Sequence, residues 1–380
     1  MSPSPSRVIC LAIATVFVVT ATRQAAAQRL LGATDRIPSR IHAPGHVADA
    51  GPARRSRSPI PDPVGWQVAL DRTGFSPGVI DGIIGSKTRA ALRAFQAFSG
   101  LKTSGEPDGP TRVAMGVGLR PAVVRRTLTS VDANLVAPTP RDWMARSEAR
   151  FLGYRSLADL AAERGHCTLR LLRKLNRGMN VEELKAGDSL LLPNVEGTWP
   201  EVSESPSDRQ ERGTNAAVPR AASLEVDLEA KRIRVLDAAA NTIAMFNCSI
   251  ARDRDKRPTR PCHIKTIVKN PVYLFDPAHW PEVHDVDRRL NIPPGPRNPV
   301  GLCWIGLTLP GYGMHGTPDP EMIGKTGSHG CFRLTNWDAL RLAGMVRVGM
   351  DVRFVEGKPT ASGRSGTMST LTTAAIPRGR

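Results

Sequence analysis

The stretch HGTPDPEMIGKTGSHGCFRL, residues 315–334, decides how the rest of the chain is read. It gathers one thiol (Cys331), two imidazoles (His315, His329), a hydroxyl (Ser328) and a guanidinium (Arg333), with Gly316 and Gly330 among them. A thiol is a strong nucleophile only when a base or cation favours its thiolate, and histidine is the usual partner. His329 is too near in sequence to approach the sulfur freely. His315, on an earlier strand or turn, has that freedom, and the carbonyl of Gly316 can fix its tautomer by accepting from the second ring nitrogen. Gly330 allows close backbone approach, so N–H groups around Cys331 are candidates for an oxyanion hole. Arg333 suits a substrate carboxylate. On residues alone, other readings stay open: a buried structural cysteine beside a structural histidine, or a metal held by His315, His329 and Cys331. The chain has no CxxC pair, so zinc geometry there is poor and no metal is expected.

Outward from this stretch, residues 222–356 read as a β-rich domain. LEVDL and RIRVL alternate apolar and polar residues across a turn at Glu229-Ala230, and NTIAMFNCSI continues the meander. One helix is expected from Trp337 to Val346, capped by Thr335 with Asp338. Before this domain, 196–221 reads as a linker, and a disordered tail is expected over 357–380.

Further upstream the apolar period becomes helical. In SKTRAALRAFQAFSG, Ala91, Leu92, Phe95 and Phe98 share a face, with Ser86 as the expected cap and Gly100 as the stop. This unit spans 62–118, and 119–146 reads as a connector. Residues 147–195 give a β-α-α-β pattern starting at Tyr154, with one helix capped by Ser156 and Asp159, a second capped by Thr168, and a strand in LKAGDSLLLP.

At the N-terminus Arg7 precedes an apolar run from Val8 to Val19, and Ala25-Ala26-Ala27 offers a cleavage site. Residues 1–27 are therefore read as a secretory signal peptide, with an uncleaved anchor as the alternative. Residues 28–61 form a Pro/Arg-rich linker. The net charge of +17 admits nucleic acid or anionic envelope polymers as partners. Export favours the second, so no nucleic acid and no lasting membrane insertion are expected, and localisation to the periplasm or cell wall is. Nothing indicates an oligomer. Five cysteines remain after the signal, an odd number, which leaves at least one thiol outside any disulfide set. A Cys248–Cys262 disulfide is expected to close the ARDRDKRPTRP loop, with Cys303 an equally legal partner.

Three resemblances follow from these residues. HG…SHGCFRL, with LEVDLEAKRIRVLDAAANTIAMFNCSIA before it and RLTNWDALRLAGMVRVGMDVRFV after it, resembles the L,D-transpeptidase catalytic domain of the YkuD type. GF…DGIIGSKTRAALRAFQAFSGL, with Gly74, Phe75, Asp81, Gly82, Gly85, Thr88, Phe95, Gln96, Gly100 and Leu101, resembles a peptidoglycan-binding domain. SLADLAAERG…LRLLRKLN…LKAGDSLLLP is similar to a LysM module, whose family binds N-acetylglucosamine-containing glycans. The implied fold is multidomain: a mainly-β, sandwich-like catalytic domain preceded by a small helical domain and a small βααβ module.

The transpeptidase resemblance implies Cys331 as nucleophile, His315 as base and Gly316 as the carbonyl orienting it. It implies His329 and Gly330 in the oxyanion region, Ser328 and Arg333 in substrate binding, and IPPGPRNPVG as a substrate-side loop. RPTRPCHI departs from the family, with Arg260 and Cys262 where Gly and an aromatic are common. The implied activity is thioester-forming acyl transfer from a tetrapeptide stem to an amine, giving 3→3 crosslinks without a cofactor. Water, a D-amino acid or a lipoprotein amine are alternative acceptors, and a non-catalytic wall-binding protein is the rival from another class. The partners are peptidoglycan stem peptides and glycan. The N-terminal modules are expected to supply placement alone, so that a chain starting near Ala222 keeps turnover on small substrates.

Overall fold

A computed structural model describes residues 62–195, 220–280, 283–328 and 330–357. The expected signal peptide, the first linker, nearly all of the second linker, the tail and His329 lie outside the described residues.

The first described unit has three helices: α1 (Asp62–Thr73), α2 (Ser86–Phe98) and α3 (Gly109–Met115). Ala91, Leu92 and Phe95 of α2 are buried against Phe75 and Trp66, as their spacing predicts. Phe98 is 45% exposed, although its ring still leans on Phe75. Ser86 is the first helical residue and not the cap; Gly85 takes the cap position with no side-chain bond. Gln96 is a structural residue, bonding Glu106 O, Thr111 Oγ1 and Gly105 N to fix the loop before α3.

The expected connector is structured. It contains strand β1 (Val123–Thr127), helix α4 (Ser130–Ala133) and helix α5 (Trp143–Glu148). Strand β1 pairs antiparallel with β2 (Ser189–Pro193) around helices α6 (Leu157–Arg164) and α7 (Leu169–Leu175). A βααβ unit therefore exists, but its first strand lies about thirty residues upstream of Tyr154, counted from the strand assignments. Tyr154 makes only an isolated bridge to Val136. The first strand was missed because β1 is buried at Val123 and largely exposed beyond it, so it carries no alternation. Ser156 and Thr168 cap α6 and α7 as expected.

The last unit holds β3 (Ser223–Asp227), β4 (Arg232–Leu236), β5 (Thr242–Asn247), β6 (Cys262–Lys269), β7 (Tyr273–Phe275), β8 (Leu290–Ile292), β9 (Cys303–Leu307), β10 (Gly313–His315), β11 (Phe332–Arg333) and β12 (Asp351–Val355). Its one α-helix among the described residues is α8 (Asn336–Met345), capped by Thr335. Eight strands run in the order β11-β10-β9-β6-β12-β3-β4-β5. Strand β6 serves two neighbours: Cys262 and His263 pair with β12, and the residues after a bulge at Ile264/Thr266 pair with β9. The sheet folds over at this point, and residues from both halves share one core, from Leu224, Ile233 and Phe246 to Ile305, Met314 and Phe332. The edges meet where Ser249 exchanges backbone bonds of 2.8 and 3.0 Å with Arg333. The mainly-β expectation is met by one sheet folded over on itself.

Among the described residues all five cysteines are free. Cys248 follows β5 and Cys262 opens β6, and β4, β3 and β12 lie between those strands in the sheet. Both thiols are buried in the shared core and free, so the expected disulfide is not formed.

The units are fused. Phe75 of the first unit bridges to Met245 of β5, with Ser76 N donating to Met245 O at 2.8 Å. Ile80 pairs with Cys167 of the βααβ unit, and Val64, Val68 and Ile80 share that unit's core. Trp143 of α5 stacks on Phe275 of β7 at 4.0 Å. A buried ionic cluster joins all three units. Asp71 of α1 meets His166 Nδ1 at 2.8 Å and Arg341 of α8 at 3.2 Å, while Ser76 Oγ donates to Asp338 at 2.8 Å. Burial alone would raise the Asp71 pKa, but His166 and Arg341 outweigh it and hold it at about 2. Asp338 has a weaker set of partners and burial pushes it up to about 6.

Candidate active site

Strands β10 and β11 run parallel with Met314 opposite Phe332 and His315 opposite Arg333. Alternation then sorts their side chains. Met314 and Phe332 enter the core, at 0% and 1% exposure. His315 and Arg333 take the opposite face, and Cys331, one residue before β11, continues their side of the pleat opposite Gly313. The three candidate chemical groups thus share one face of two adjacent strands.

His315 is buried, and its Nδ1 bonds Gly316 O at 2.6 Å. The carbonyl makes Nδ1 the protonated nitrogen, which leaves Nε2 as the basic one. Burial lowers the His315 pKa to about 4, and the Arg333 charge adds to the shift. Burial raises the Cys331 pKa, opposed by the Gly313 backbone and by Arg333. Its sulfur donates to Gly311 O at 3.6 Å. Near neutral pH both groups are therefore neutral at rest, Cys331 as the thiol and His315 as the imidazole.

Ser328 and Arg333 are placed as loop braces. Ser328 Oγ donates to Cys331 O at 2.5 Å and accepts from Gly330 N at 3.3 Å. Arg333 donates to Gly327 O. A Cβ added at Gly330 would meet only Tyr312 at 3.8 Å, so the space beside the thiol is open. IPPGPRNPVG is partly committed elsewhere: Leu152 N donates to Pro294 O and Arg297 N donates to Leu152 O.

Sequence reasoning missed Trp304. Its indole stacks on His315 at 5.7 Å, and it lies across the facing pair Gly306 and Gly313, where any Cβ would collide with it. The missed signal is the glycine at both of those positions, which marks the close approach of a neighbour. Tyr273 was also missed. Burial raises its pKa, and a charge on Cys331 raises it further, which puts the β7–β8 hairpin within electrostatic reach of the thiol.

Residues 221–354 match the family model of the L,D-transpeptidase catalytic domain of YkuD type, and residues 66–115 match that of a peptidoglycan binding domain. The chain therefore carries a domain of each kind. A Bacillus licheniformis protein named as the L,D-transpeptidase YkuD is 44% identical over 63 residues, covering 17% of this chain and 38% of the relative. Its Bacillus subtilis namesake is 39% identical over 71 residues, 19% of this chain and 41% of the relative. The chain spans about two fifths of the length of these relatives. Among solved structures, the catalytic domain of an Enterococcus faecium L,D-transpeptidase acylated by ertapenem is 19% identical, covering 35% of this chain and 95% of that one at a TM-score of 0.26. Among the described residues no helix is long and apolar enough to cross a membrane.

Proposed function

We propose that the chain is a wall-associated cysteine acyltransferase that forms 3→3 crosslinks between peptidoglycan stem peptides. The observation that carries the proposal is the shared face of His315 on β10 and Cys331, one residue before the parallel β11, with His315 Nδ1 held by Gly316 O at 2.6 Å. Because the resting pair is neutral, His315 Nε2 takes the thiol proton as the sulfur attacks the carbonyl at the L-centre of the stem's third residue. The tetrahedral intermediate collapses to a thioester as D-alanine leaves with the proton from His315. An amine of a second stem then attacks the thioester, His315 takes its proton, and the thiol is restored. The thioester keeps the acyl group activated, so no nucleotide is consumed. Backbone N–H groups around Gly330 suit the developing oxyanion.

The peptidoglycan-binding domain and the βααβ unit would hold the glycan, the latter in the manner of a LysM module. Export to the periplasm or wall follows from this substrate. A carbapenem should acylate Cys331, because an activated thiol opens a lactam ring as it opens a stem amide. The test is intact-protein mass spectrometry after incubation with ertapenem, together with muropeptide profiling. One adduct and new 3→3 crosslinks are expected, both lost in Cys331→Ala. Crosslinking by Cys331→Ala, or an adduct on another cysteine, overturns the proposal.

A further inference from the structure

The carbonyl that orients His315 belongs to Gly316, which packs against Asn336, and Asn336 is in turn held by a different unit of the chain. Asn336, at the start of α8, is fully buried. Its Oδ1 accepts from Leu302 N at 3.1 Å and lies so close to Gly301 and Gly316 that neither has room for a Cβ. Its Nδ2 donates to both carboxylate oxygens of Glu163, at 3.1 Å each, and to Pro296 O at 3.3 Å. Glu163 sits in α6 of the βααβ unit and also accepts from Tyr154 Oη at 3.0 Å. A continuous packed path therefore runs from Glu163 through the Asn336 carboxamide to Gly316 and the imidazole.

We infer that Glu163 is a positioning residue for His315, acting through Asn336 and Gly316. The inference rests on the reading of His315 as the base. The ionised carboxylate accepts from Asn336 and Tyr154 together. Protonation turns one of its oxygens into a donor facing those donors, and the hold on the carboxamide loosens. The charged and titratable groups acting on Glu163 are Tyr154, Asp159 and Arg297; Arg155, Cys167, Asp319 and Glu321 line the same cavity, and Arg164 acts on Tyr154. Burial is the largest influence and pushes the Glu163 pKa up to about 7, against the bonds from Asn336 and Tyr154 and the charge of Arg297. The brace is therefore tight above neutral pH and slackens below it. A unit whose expected task is holding glycan also sets the geometry of the base.

The experiment is the rate of Cys331 acylation by ertapenem in the full-length chain, followed by intact mass between pH 5.5 and 8.5. Glu163→Ala is expected to slow acylation about tenfold, the scale of a small misplacement of a reacting group. Glu163→Gln keeps an acceptor for Asn336, and its rate at pH 8.5 should stay within about twofold of the native chain. It should lose the part of the native fall in rate that lies near pH 7, while keeping the part that belongs to the thiol. Native rate and an unchanged pH profile in Glu163→Ala overturn the inference. If Glu163→Ala does not fold, the glutamine variant decides: a profile superimposable on the native one overturns it equally. His315→Ala separates the two levels, because native acylation in that variant sinks the reading of the base itself.

Discussion

Two regions of the chain meet at Gly316, and they are built in opposite ways. On one side, the β10–β11 edge takes its chemistry from the contiguous stretch 315–334, and parallel pairing alone puts His315, Cys331 and Arg333 on one face. On the other side, the packing around α8 is collected from distant sequence. Asp71 and Arg341 are 270 positions apart, and Glu163 and Asn336 are 173 apart. The first region is a motif and the second is an interface. The difference matters because the interface bears on the geometry of the motif: α8 is held by the two upstream units, and Asn336 of α8 packs against Gly316.

The largest test of that dependence is removal of the upstream units. A chain beginning at Ala222 would expose Met245, Phe275 and Asp338, all buried in the full-length protein. It should lose cooperative unfolding and, with it, acylation by ertapenem, contrary to what independent modules on linkers would do. Sharp melting with full-length acylation kinetics would show that the motif is self-sufficient.

Next in size is Asp71→Ala, which removes the buried carboxylate that His166 and Arg341 share. Removing one partner of such a pair costs about 3–5 kcal/mol, and urea unfolding should show a loss of that order. A loss under about 1 kcal/mol, the range of exposed pairs, would mean the cluster contributes little.

Gly313→Ala perturbs the motif side. The new Cβ would lie 2.5 Å from the Trp304 ring that stacks on His315. Overpacking of this kind costs about 1–3 kcal/mol. Displacing the wall of the imidazole should also slow acylation about tenfold. An unchanged acylation rate with lowered stability would show that Trp304 packs against His315 without orienting it.

The smallest effect separates the two carboxylates of the ionic cluster by pH. Asp338 has a folded pKa near 6, above its ordinary value of 3.8, so the stability it contributes is present at low pH and is lost as pH rises through about 6. Asp71 has the opposite sign: its contribution is present above its ordinary value and is lost as pH falls toward about 2. Asp338→Asn cannot ionise, so its Tm relative to the native chain should improve from pH 4.5 to pH 7. A Tm difference that is flat across that range would place the Asp338 titration elsewhere.

The sequence was sufficient for the local parts. Helices α6, α7 and α8 are bounded by Ser156, Thr168 and Thr335, because a cap is a bond to a backbone N–H two or three residues away. The β3–β4 hairpin follows from alternation on either side of Glu229-Ala230. The bond between His315 Nδ1 and the Gly316 carbonyl was also legible, since both groups lie in one motif. Strand β1 was not, because its burial comes from a partner sixty residues on and its own residues do not alternate.

What the sequence by itself determined about this protein is therefore the identity of its elements and of the groups at the β10–β11 edge. Hydrogen-bonded caps, alternation and a compact motif are short-range and leave a periodic trace. The tertiary structure alone decided which units share a core, that Cys248 and Cys262 stay free thiols, that Trp304 fills a cradle of two glycines, and that Glu163 reaches Asn336. Those outcomes depend on sheet order and on packing between surfaces far apart in the chain, where any buried polar group must find a partner and nothing in its own neighbourhood names which one.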